Sequence, residues 1–137
     1  MFKRIVTAGV ATAGLLALLA PAANADTPVN NPILGTGSLL RAQLIENSDG
    51  SGHKISVYGT ANCTSSTTNR DYTMTVMPSS WNDAVSMVKD WRQCDVMLFK
   101  NDGALASDTH TGWIDGGDSG KSVGPNWNDQ ASSFVLS

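Results

Sequence analysis

The sequence predicts an all-β fold, and three observations carry that prediction. Short segments of alternating apolar, β-branched and aromatic residues recur along the chain. Gly, Asn, Asp and Ser turns separate them, and a Trp-Asn-Asp motif occurs twice in matching context. A sandwich or barrel of short strands is the architecture that such a pattern specifies.

Taken in order, the chain opens with MFKRIVTAGVATAGLLALLAPAANA. Lys3 and Arg4 precede an apolar run that ends in Ala23-Asn24-Ala25, the pattern of a cleaved export leader over residues 1–25. Gly9, Gly14 and Pro21 interrupt the run, which is short for a span needing about 20 apolar residues. Cleavage after Ala25 leaves 112 of the 137 residues, one secreted domain, expected to be a monomer. Seven basic and twelve acidic residues then remain, a net charge of −5. That balance argues against nucleic acid or an anionic membrane as a partner, because Lys and Arg drive both kinds of binding, and it suits a cation.

Residues 26–37, DTPVNNPILGTG, are too rich in Pro, Asn, Gly and Thr for a helix or central strand, and read as an N-terminal linker or extended arm. Strands are predicted at Leu39 to Ile45, Lys54 to Tyr58, Tyr72 to Met77, Val96 to Phe99 and Ser133 to Leu136. Between Trp81 and Trp91, where Trp81, Val85 and Val88 share a face, the expectation is one helical turn leading into a strand. GGDSGKSVGP reads as an exposed loop. Cys63 and Cys94, the only cysteines, are expected to form a disulfide in an oxidising compartment.

Three enzyme-like or metal-like patterns fail on inspection. Gly117-Asp118-Ser119-Gly120 looks like a serine protease nucleophile loop. Yet His53 and His110 lie in turn sequence without a base signature, Lys121 stands where a loop glycine belongs, and 112 residues cannot supply two barrels. A phosphate loop ending at Gly120-Lys121-Ser122 would need a glycine where Asp115 stands. Asn47 to Gly52 begins like an EF-hand, but Tyr58 occupies the place of the bidentate Glu. No acid, base and nucleophile set stands at workable spacing, so an enzyme is not expected.

The repeat is more informative. WNDAVSMV from Trp81 matches WNDQASSF from Trp127, and LIEN at Leu44 to Asn47 matches LFKN at Leu98 to Asn101, in the same order. Two copies of one supersecondary unit, about 38–92 and 93–137, account for this. The paired motifs resemble the Asn/Asp-Asn/Asp-x-x-Ser/Thr-Ser motif of βγ-crystallin domains. Asn128 to Ser133 matches at all six positions, and Asn82 to Ser86 at five, with Met87 replacing the last serine. LIENSDGSGHKISVYG is similar to that family's opening hairpin, although Gly50 stands where a corner aromatic is usual.

The resemblance implies a βγ-crystallin-like sandwich of two Greek-key units over 38–137, with two calcium sites. It assigns to them the carboxylates of Asp83 and Asp129, the hydroxyls of Ser86 and Ser132, and the carbonyls of Ala84 and Gln130. Backbone oxygens of the opposite unit's hairpin, near Glu46 and Lys100, would complete each site. Such hard oxygens suit calcium, with an affinity of about 10⁻⁵ to 10⁻³ M expected for so few formal charges. Related secreted proteins of this type include metalloproteinase inhibitors and killer-toxin-like proteins. The alternative function is therefore binding to an extracellular protease through the loop from Ser107 to Pro125, although the extra cysteines typical of those inhibitors are missing.

Overall fold

The structure, a computed structural model, describes residues 25–137. All of the predicted leader except Ala25 lies outside the described residues. Among the described residues no helix is long and apolar enough to cross a membrane.

Eight strands follow in order: β1 (Ile33–Gly35), β2 (Leu39–Ile45), β3 (Lys54–Gly59), β4 (Tyr72–Met74), β5 (Met87–Asp90), β6 (Val96–Phe99), β7 (Lys121–Ser122) and β8 (Ser133–Leu136). They form a sheet of order β1-β3-β2-β5-β7 and a second of order β4-β8-β6. In the first unit β2 lies between β3 and β5, while β4 departs to pair with β8. The second unit does the converse. Its β6 pairs with β8, His110 and Ile114 bridge to β6 where another strand would run, and β7 crosses to β5. Each unit thus lends its third strand to the other's sheet. The sandwich of two Greek-key units that the sequence implies is the fold observed.

Alternation explains the strands that were predicted. β3 buries every second residue, Ile55, Val57 and Gly59, whereas β8 buries all four, because both faces of its sheet are covered. Phe134 and Leu136 face the main core with Trp81, Leu44, Val57, Val88 and Leu98. Val135 joins Phe99 and Ala104 in a smaller cluster flanked by Met97 and Trp113. Trp81 is fully buried, and its Nε1 has no hydrogen-bond partner. Burying an indole is worth about 4–6 kcal/mol by area, against about 1–3 kcal/mol for the orphaned donor. Burial wins.

The structure amends four details. β4 stops at Met74 rather than Met77. Trp81 to Trp91 contains a turn and then β5, with no helix, because Asp83 adopts a left-handed φ of 54° that no helix continues through. The segment 26–37 is an arm whose β1 pairs in parallel with β3, and the loop GGDSGKSVGP contains β7. Trp127 is half-buried against the main core, with the Lys100 ammonium 5.3 Å from its ring centroid.

Cys63 and Cys94 are joined. The bridge ties the β3–β4 connection to the turn between units, where Arg92 and Gln93 both have positive φ, and Cys63 N donates to Arg92 O at 3.1 Å. Arg41 lies at a register irregularity in β2 and donates through Nε to Ala61 O at 2.9 Å. Its guanidinium crosses Gly59 so closely that a Cβ there would clash with it.

Candidate metal centre

The two motifs occupy equivalent positions and are stitched to each other. Asp83 N donates to Ala131 O at 2.9 Å, and Asp129 N donates to Val85 O at 3.2 Å. Each aspartate has a left-handed φ, 54° and 55°, and each is preceded by an asparagine whose amide donates to its carboxylate. Asn and Asp tolerate this backbone region better than other non-glycine residues, which is a local reason for the Asn-Asp pair. The serines are placed symmetrically as well. Ser86 N donates to Ile45 O, at the end of β2, and Ser132 N to Phe99 O, at the end of β6.

The exchange brings a carboxylate of one unit to the hydroxyl of the other. Ser86 Oγ donates to Asp129 Oδ1 at 3.3 Å, across 43 residues of sequence. Around them opens a cleft of about 530 Å³, walled by Glu46 to Asp49 of the first hairpin, Ala84, Ser86, Asn128, Asp129 and residues Ala25 to Pro28. Ala84, Ser86 and Glu46 come from the same unit here. The group that crosses between units is the carboxylate of Asp129.

The hairpin beneath this cleft is braced by its own side chains. Glu46 Oε2 accepts from His53 N at 2.9 Å and contacts His53 Nδ1 at 3.1 Å. These bonds hold the Glu46 carboxyl below its ordinary pKa. Asp49 Oδ1 accepts from Ser51 N at 2.9 Å and from Ser51 Oγ at 2.6 Å. Gly52 turns with φ 83°, and a Cβ there would come within 2.6 Å of Glu46 Oε2.

The second motif region is less even. Ser132 is buried, Gln130 is exposed, and Lys100 Nζ donates to Gln130 Oε1 at 3.5 Å. Asp83 is half-buried. Burial raises its pKa first, followed by the charge of Asp26, while the Asn82 amide opposes the rise and Asp129 and Asp102 add to it. Asp26, Asp83, Asp102 and Asp129 thus make the ground between the two motifs acidic, with the Lys100 ammonium at the Gln130 side. Hard carboxylate, hydroxyl and carbonyl oxygens gathered from turns form a donor set that fits calcium.

No protein-family model and no curated protein sequence matches the chain. Among solved structures it is similar to a double mutant of a betagamma-crystallin domain from Clostridium beijerinckii. That likeness is at 17% identity and a TM-score of 0.47, over 70% of this chain and 94% of the other.

Sequence reasoning missed two features. The arm residues Asp26, Thr27 and Pro28 wall the cleft, though nothing in their order marks them for it. Asp90, Asp95 and Asp115 also converge, with carboxylate oxygens within 4.8 Å of one another, close enough to share a cation. Asp90 is buried and accepts from Gly116 N at 2.7 Å and Gly117 N at 2.9 Å. Burial raises the pKa of Asp90 and Asp95, and the charge of Asp115 adds to both. Their separation along the chain hides the convergence.

Proposed function

We propose that this protein is an exported, non-enzymatic βγ-crystallin-like module that binds calcium at its two motifs, where the ions stabilise the fold by joining its units. The observation that supports it best is the contact of Asp129 with Ser86, a carboxylate of one unit against a hydroxyl of the other. A calcium ion there would supply a cross-link made of oxygen ligands. Asp129 and Ser86 would hold it with the carbonyls of Ala84 and Glu46. Asp83, Ser132, Gln130 and Lys100 form the equivalent set, where the nearby ammonium of Lys100 weakens cation binding relative to the first.

A thermal melt with excess calcium and again with chelator tests the reading. At a calcium concentration about 100 times Kd, binding to the folded state alone adds about 2.7 kcal/mol. For a domain of this size that raises Tm by about 10 °C. Asp129→Asn, which keeps a residue suited to the left-handed φ, should remove most of the gain. An unchanged Tm in calcium would reject the reading.

A second reading, a binding protein directed at an extracellular protease, draws on one observation. The exposed loop around Asp118 and Ser119 is anchored at its base by Asp90, through Gly116 N and Gly117 N, and by the Trp91 indole donating to Asp118. A pre-organised exposed loop is what such an inhibitor requires. Inhibition of a thermolysin-like protease that persists in Asp129→Asn would support it.

A further inference from the structure

The N-terminal arm presses an acidic residue onto a centre that is already acidic. Asp26 N donates to Asn82 O at 3.1 Å, and Val29 N donates to Ser80 Oγ at 3.3 Å. Pro28 is buried between these two anchor points. The chain is thereby hooked onto the turn that carries the first motif, and Asp26 to Pro28 become one wall of the cleft that Glu46, Ser86 and Asp129 also line. Among the described residues the one ion pair is His53 with Glu46, so no lysine or arginine pairs with Asp26. Held this way without calcium, the Asp26 carboxylate shares the cleft with those of Glu46, Asp49 and Asp129, a repulsion that the α-amino group left on Asp26 by leader cleavage offsets in part.

We propose that the arm is a working part of the cation cleft, Asp26 supplying a further carboxylate beside the two motifs, so that calcium binding and docking of the arm are coupled. The proposal rests on the calcium reading above. Such coupling is reciprocal: whatever factor calcium contributes to docking, the docked arm returns to calcium affinity. Without calcium the same carboxylate repels its neighbours, so its effect on the fold reverses sign with occupancy. A residue that merely packs against the surface has no such reversal.

The test uses the full-length chain expressed with its leader in an exporting host, with calcium titration by calorimetry and amide exchange of residues 27–31 in the mature product. In the wild type, calcium is expected to slow exchange at Val29, whose N–H donates to Ser80 Oγ. Asp26→Asn is expected to weaken calcium binding about 3- to 10-fold, and in chelator to leave Tm equal to or above that of the wild type. Asp26 is exposed, so the variant should fold. Calcium binding that is lost in Asp129→Asn but unchanged in Asp26→Asn, with arm exchange insensitive to calcium, overturns the arm proposal alone. A wild type that binds no calcium overturns the reading beneath it.

Discussion

Ser133 and Met87 hold the sixth position of their motifs and act differently. Ser133 Oγ donates to Asn101 O at 2.5 Å and accepts from Ala104 N at 3.0 Å, so it clamps the second hairpin. Met87 cannot do this. Its Sδ lies against Gly50 and Gly120, and the first hairpin relies instead on Glu46 with His53 and on Asp49 with Ser51. Replacing Ser133 with Ala would leave a buried backbone N–H and a carbonyl unpaired. The expected loss is about 1–3 kcal/mol, read as a lower denaturant midpoint at unchanged slope, while Met87→Ala should cost less because it breaks no hydrogen bond. The sequence marked Asp129 and Ser86 as candidate site residues by motif. It did not reveal that they meet each other, because their separation of 43 residues is closed only by the exchange of strands between units.

Among the elements, legibility followed hydrophobic patterning. β3 was readable from strict alternation of buried and half-buried residues, and β2, β6 and β8 from runs of apolar residues that are mostly buried. β7 was not, since Lys121 and Ser122 are both exposed and carry no such pattern, and β1 sits in Pro-Asn-Gly sequence that masks it. Both are edge strands, held by backbone pairing with a neighbour more than by a buried face. The connections depend on a different device. The Cys63–Cys94 bridge closes a separation of 31 residues, for which the chain-entropy model gives about 3–4 kcal/mol. The double variant Cys63→Ala, Cys94→Ala should therefore lower Tm by about 10–20 °C, measured by scanning calorimetry. Because the bridge restrains the β3–β4 connection and the turn between units, rather than the motifs, that variant should keep its upward Tm shift with calcium.

At the scale of the whole molecule, twelve acidic residues against nine basic ones over the full chain make stability depend on where the carboxylates gather. At Asp90 and Asp95 the folded state holds protons more tightly than the unfolded chain, because burial, with the charge of Asp115 added, raises their pKa above 3.8. Lowering the pH from neutral through those raised values toward 3.8 therefore adds stability, and raising it again removes that gain. Glu46 and Asp49 act oppositely. Their pKa values are lowered from 4.5 and 3.8, so their contribution is present above those ordinary values and is lost as the pH falls through the lowered ones. Tm in chelator should accordingly rise as the pH drops below neutral, pass through a maximum on the acidic side, and fall in stronger acid. Asp115→Asn removes the like charge beside Asp90 and Asp95 without touching the bonds from Asp90 to Gly116 and Gly117. It is expected to raise Tm at pH 7 by about 1–3 °C, the scale of one weak surface charge interaction, and to flatten the rise on acidification. If instead Asp115→Asn abolishes the calcium-induced shift that Asp129→Asn leaves intact, the cation belongs to the aspartate trio and not to the motifs.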